Sequence, residues 1–81
     1  MKPLTKEELR IADNMRRYNA QTIYDKWIKE WKRVKCLFNN GLADADEVVE
    51  VWFSGADAAD RLGVGEQFRE IRQANDTEWR I

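Results

Sequence analysis

From Thr5 to Phe38 the chain runs without a proline or a glycine, and its apolar residues recur at the spacing of an α-helix. Ala12, Met15, Ile23, Trp27, Trp31, Val34 and Phe38 share one stripe, widened by Leu9, Tyr24 and Ile28. A stripe of that period must be covered by something else in the molecule. Thr5 followed by Glu8 reads as a capping box, with Pro3 just outside it. At the other end Lys32, Arg33 and Lys35 suit the negative pole of a helix, and Asn39-Asn40-Gly41 supplies a left-handed stop. The run predicts a rod of about 30 residues, roughly 45 Å long. Between Arg16 and Thr22 the residues Asn19, Gln21 and Thr22 lower helix propensity, and a kink or break would fall there.

The rest of the chain must supply the cover. Asp44, with Glu47 three residues on and Leu42 near the staple position, starts a second helix. Residues 47–53 also alternate as a strand would. Helix is the reading, because a solitary strand would have nothing to pair with. Ser54-Gly55 is expected to break this helix, with Ser54 and Asp57 capping a short third one through Leu62. After Gly63-Val64-Gly65 a fourth helix runs from about Glu66 to Ala74, with Phe68 and Ile71 inward, and Asn75-Asp76-Thr77 ends it. Trp79, in the tail, is expected to dock on the core. The expectation is an all-α fold, one long N-terminal helix with three shorter helices packed against it, residues 1–81 forming a single small domain.

A chain of 81 residues buries only about 60 to 65% of its unfolded surface, so its stability margin is thin and a homodimer is a natural way to add contacts. Histidine is absent and Cys36 is the lone cysteine, which removes the commonest general base, the commonest metal ligand and any internal disulfide. No catalytic residue, metal site or cofactor is expected. Cys36 reads as a small buried hydrophobe near the wrong end of a helix for a stabilised thiolate. The pairs Asp44 with Asp46 and Asp57 with Asp60 coincide with helix starts, where acidic residues belong anyway. The N-terminus lacks an apolar signal core and no apolar run approaches a bilayer's width, so a cytoplasmic protein without membrane contact is expected. The net charge of −1 hides an asymmetry: residues 1–38 hold ten Lys or Arg against five Asp or Glu, and residues 39–81 hold four against ten. The simplest consequence is two halves folding onto each other with complementary fields; the other is that one sign is offered to a partner.

Two stretches bear on function. In Ala58-Ala59-Asp60-Arg61-Leu62-Gly63-Val64-Gly65-Glu66-Gln67, a small residue stands four before a glycine and an apolar one follows it. These ten residues resemble the turn of the helix-turn-helix motif of phage repressors, with Ala59, Gly63 and Val64 in the three places. The resemblance implies that Glu66, Gln67, Arg69 and Arg72 would face a DNA groove. The chain departs from the family beyond the turn, where Arg69 and Arg72 stand at positions the family makes apolar, and the surroundings are acidic. Any tight helix corner needs a small residue, a glycine and an apolar plug in the same places.

The second stretch, Lys26 to Lys35, is basic and aromatic. Lys26, Lys29 and Arg33 fall on one helical face and Trp27, Trp31 and Val34 on another, as expected if the tryptophans make the core and the cations meet solvent or the acidic half. The preferred function is a non-enzymatic protein-interaction module, a small regulator, inhibitor or adaptor of a type common in viruses and mobile elements, with Lys29, Arg33, Asp46, Glu50 and Trp79 as candidate partner contacts. Nucleic acid is the second partner class, through Gln67, Arg69 and Arg72. In a third reading the acidic half mimics DNA and fills a basic cleft on a DNA-handling protein.

Overall fold

In the computed structural model, which describes residues 3–80, helix α1 spans Lys6–Asn39, 34 residues without interruption. Both arms of its capping box form: the Glu8 amide donates to Thr5 Oγ1 at 3.1 Å and the Thr5 amide donates to Glu8 Oε1 at 3.4 Å. The weak segment does not break. Thr22 turns its hydroxyl back onto the Tyr18 carbonyl at 3.0 Å, and Gln21 donates to Asp25 at 2.9 Å, so the polar side chains bond along the helix instead of competing with it.

Helix α1 ends in a Schellman motif. Gly41 takes φ 72°, its amide donates to the Phe38 carbonyl at 3.0 Å, and the Leu42 amide donates to the Leu37 carbonyl at 2.8 Å. Helix α2 spans Ala45–Arg61, with Asp44 accepting the Glu47 amide at 2.9 Å. It ends in the same way: Gly63 has φ 71°, its amide reaches the Asp60 carbonyl at 3.1 Å, and the Val64 amide reaches the Ala59 carbonyl at 2.8 Å. Ala59 and Val64 are both buried, the apolar contact that accompanies this cap. The three positions that resemble a repressor turn are thus the three that define a Schellman corner. Helix α3 spans Gly65–Ala74 and α4 is the single turn Asp76–Trp79.

The all-α architecture holds, one long helix against three shorter ones with no strand among the described residues, but the short helices are divided differently. Residues 47–53 are helical, and α2 continues straight through Ser54-Gly55 where a break was expected. Gly55 is buried at the crossing of α2 on α1. A Cβ there would lie 2.6 Å from Phe68 Cζ and 2.7 Å from Trp27 Cδ1, so the glycine serves close approach and not chain reversal. Ser54 keeps its hydroxyl inside the helix by donating to the Val51 carbonyl at 2.8 Å. The third short element is instead the turn of the tail, α4, which carries Trp79.

The core is one aromatic cluster. Ala20, Tyr24, Trp27, Ile28, Trp31 and Val34 of α1 meet Ala59, Val64 and Phe68, with Val48, Val51, Trp52, Ile71 and Trp79 packed around them. Trp27 stacks on Trp31 at 5.6 Å and meets Trp52 and Phe68 edge-on at 5.6 and 5.9 Å; Trp79 meets Trp52 edge-on at 5.0 Å. A buried indole N–H needs an acceptor. Trp27 donates to the Val51 carbonyl and Trp31 to the Trp79 carbonyl, both at 2.8 Å, and Trp79 donates to the Arg72 carbonyl at 2.7 Å. These bonds tie α1 to α2, and the tail to α1 and α3.

The cover is too short for the rod. Nothing before Ala20 on α1 is buried, and the stripe members Leu9, Met15 and Phe38 are exposed, with Ala12 half-buried. Cys36 and Leu42 are exposed as well, against the expectation of a buried thiol and a staple contact. The molecule measures 56 × 22 × 14 Å, with a radius of gyration of 15.6 Å. A compact globule of this length would have one of about 12 Å. The excess is the N-terminal part of α1, an arm of about 20 Å (residues 6–19) projecting beyond the body.

The two oppositely charged halves do pack on each other, but through aromatic contacts. Among the described residues a single ion pair joins them, Lys32 with Glu78 at 3.7 Å; the others are local, such as Arg17 with Asp13 and Arg69 with Asp60.

Candidate functional site

At about 100° per residue, Tyr24, Trp27, Ile28 and Trp31 define the covered side of α1, and a second row lies roughly opposite, within an arc of about 80°. It reads Ile11, Met15, Tyr18 and Thr22, then Lys26, Lys29 and Arg33, with Leu4 in the non-helical segment that leads into it. Its apolar members are open to solvent: Leu4 is 53% exposed, Ile11 51%, Met15 62% and Tyr18 73%. Ile11, Met15 and Tyr18, with Asn14 and Asn19 between them, line a shallow trough of about 400 Å³. The outer face therefore changes character along its length, apolar on the arm and cationic over the body.

The cationic end has simple electrostatics. Lys26 and Lys29 are exposed, as is Arg33, which forms an ion pair with Glu30 one turn earlier. That partner raises the Arg33 guanidinium above its ordinary pKa, with a smaller contribution from the field of Glu47. Beside Lys26 a second depression of about 320 Å³ opens between α1 and α2, its wall formed by Trp27, Gly55 and Ala58.

The residues singled out by sequence sort unevenly. Lys29 and Arg33 belong to the outer face of α1. Asp46 and Glu50 are exposed one turn apart on α2, and among the described residues neither pairs with a cation of α1. Trp79 is half-buried in the aromatic cluster, docked as the tail was expected to be. Of the groove-facing set, Gln67 is half-buried and Arg69 is exposed but held by Asp60 at 3.3 Å. Arg72 lies with its guanidinium 4.1 Å over the Trp52 ring and about equally close to Phe68 and Trp27, at 5.3 and 5.5 Å. Burial there lowers its pKa, with the nearby charge of Arg69 adding to the effect. Leu4, Ile11 and Tyr18 went unread because a single inward stripe was traced. The signal was present in their spacing of seven, four and three residues with Met15, a second helical phase opposite the first.

No helix among the described residues is long and apolar enough to cross a membrane. No group of three or more carboxylate or cysteine side chains is placed to hold a metal ion among them. No protein-family model matches the chain, and neither does any curated protein or solved structure.

Proposed function

We propose that the chain is a non-enzymatic protein-interaction module, a small regulator, inhibitor or adaptor acting in the cytoplasm, and that it docks through the outer face of α1. The observation that supports this is the row Ile11, Met15 and Tyr18, which line one trough, each more than half exposed, with Leu4 also more than half exposed in the segment before the helix. Single exposed apolar side chains are ordinary on a protein surface, whereas a continuous row on one helix marks a contact site. The row adds nothing to the core, which is complete without it. Laying an amphipathic helix against such a row, read at i, i+3, i+4 and i+7 positions, is a recurrent mode of recognition, and the cationic continuation selects a partner with acidic residues in line with its apolar ones.

The test is a comparison of the intact chain with an Ile11→Ser, Tyr18→Ser variant, both on exposed positions that leave the core alone. Circular dichroism of the two should superimpose. Capture of partners from the native cell, identified by mass spectrometry, should be lost with the variant; equal capture by both proteins refutes the reading. Duplex DNA at low salt serves as the counter-assay, because a helix-turn-helix binder using Gln67, Arg69 and Arg72 would show non-specific phosphate binding there first. Salt-sensitive capture of a DNA-handling protein that survives the double substitution would favour the acidic surface as a DNA mimic.

A further inference from the structure

We propose that the outer face of α1 takes a second copy of this chain, the two α1 helices lying side by side and antiparallel about a two-fold axis between Met15 and Tyr18. This deepens the interaction-module reading and rests on it.

Charge placement chooses both the partner and its direction. Glu7 and Glu8 stand in the first turn of α1, and Lys26 and Lys29 stand on the outer face farther along. With Met15 of one copy opposite Tyr18 of the other, an antiparallel pairing sets Ile11 opposite Thr22, Glu7 opposite Lys26 and Glu8 opposite Asp25. The two-fold repeats each contact, so both ends of the interface set Glu7 and Glu8 against a stretch in which Lys26 and Lys29 outweigh Asp25. A parallel pairing would set Glu7 and Glu8 against their own copies and Lys26 and Lys29 against theirs, like against like at both ends.

Area and shape agree with that choice. Four side chains at these exposures leave roughly 500 Å² per copy, so complete burial gives about 1,000 Å² for the pair, and the flanking Asn14, Asn19 and Thr22 with the lysine stems bring the upper limit to about 1,200 Å², the lower bound of a specific interface. The helices α2, α3 and α4 pack on the opposite side of α1, so the two bodies stand outside the seam and do not collide. An interface this small belongs with transient complexes, for which dissociation on the order of 1–100 μM is the range to examine.

The experiment is sedimentation equilibrium of the full chain over a concentration series spanning that range. The expected result is a rise from the monomer mass of 9.6 kDa toward twice that value. A chain that remains monomeric throughout overturns the proposal, while loss of heterologous capture by the Ile11→Ser, Tyr18→Ser variant would still uphold the broader reading. Charge reversal then tests direction. Glu7→Lys, and separately Lys26→Glu with Lys29→Glu, should each weaken self-association several-fold, all three positions being exposed and outside the core. An equimolar mixture of the two variants should associate at least as tightly as the original chain, because the reversed end of one variant then faces the reversed end of the other. Variants that dimerise unchanged, or a mixture that does not recover, would overturn the antiparallel arrangement.

Discussion

Replacing Gly55 by alanine pits two well-measured effects against each other. In an exposed helix the change stabilises by about 1 kcal/mol, because glycine costs more backbone entropy than alanine. In this helix the new methyl would sit 2.6 Å from Phe68 Cζ, 2.7 Å from Trp27 Cδ1 and 2.8 Å from Trp27 Cγ. Carbon atoms pack comfortably at about 3.5–4 Å, so three contacts fall short by roughly 1 Å. Neither ring can yield into solvent, since Phe68 is 0% and Trp27 3% exposed. Relief requires α2 to back away from α1, which loosens Trp52 and the Trp27 bond to the Val51 carbonyl. Overpacking of this kind costs about 2–3 kcal/mol, leaving the variant less stable by about 1–2 kcal/mol, or a melting temperature lower by about 5–15 °C. Urea denaturation followed by tryptophan emission and by far-ultraviolet circular dichroism measures both stability and packing. Ser54→Ala, one residue away and exposed, should change stability by no more than about 0.5 kcal/mol and serves as the control. A Gly55→Ala protein more stable than the original would refute the close crossing of α2 on α1.

Further expectations follow from the aromatic cluster and its edges. Trp79→Ala removes the indole from Trp52 and from the Arg72 carbonyl, which keeps only the Asn75 amide, so stability should fall by about 2 kcal/mol; an unchanged denaturation midpoint would show the tail to be undocked. Arg72→Lys keeps the charge but loses the flat guanidinium over Trp52, and should cost about 1 kcal/mol in the same assay, against no change if Arg72 were merely solvated. Burial foremost, then the hydrogen bond to Glu78, raises the Tyr24 phenol above its ordinary value of 10.0. The fold therefore holds this proton more tightly than the unfolded chain does. The resulting contribution to stability is complete below pH 10 and lost as the pH climbs above it, and Tyr24→Phe should flatten that decline. Cys36 should react with a thiol reagent in native buffer at close to its rate in urea, whereas strong protection would place it inside.

Helix α1 was legible in the sequence almost to the residue, because local rules suffice for it: a capping box, an unbroken run of helix formers and a glycine able to adopt positive φ at the stop. The corner at Gly63 and the inward faces of Trp27, Trp31 and Phe68 were legible for the same reason. Ser54-Gly55 was misread. A glycine that ends a helix and a glycine that admits a neighbouring ring look alike until the neighbour is known, and the neighbours here come from α1 and α3. Likewise the outer face escaped notice because Met15 reads as a member of the inward stripe, whereas its phase, shared with Ile11 and Tyr18, lies opposite the face that α2 covers.

By itself, then, the order of residues determined the rod, its two ends and the aromatic content of the interior, all properties of contacts a few residues apart. Only the tertiary structure decided where the cover runs out. That boundary depends on how far three short helices reach along a longer one, and no local interaction encodes it. It separates Trp27 and Trp31, which hold the fold together, from Leu9, on the same side of the rod but left open on the arm.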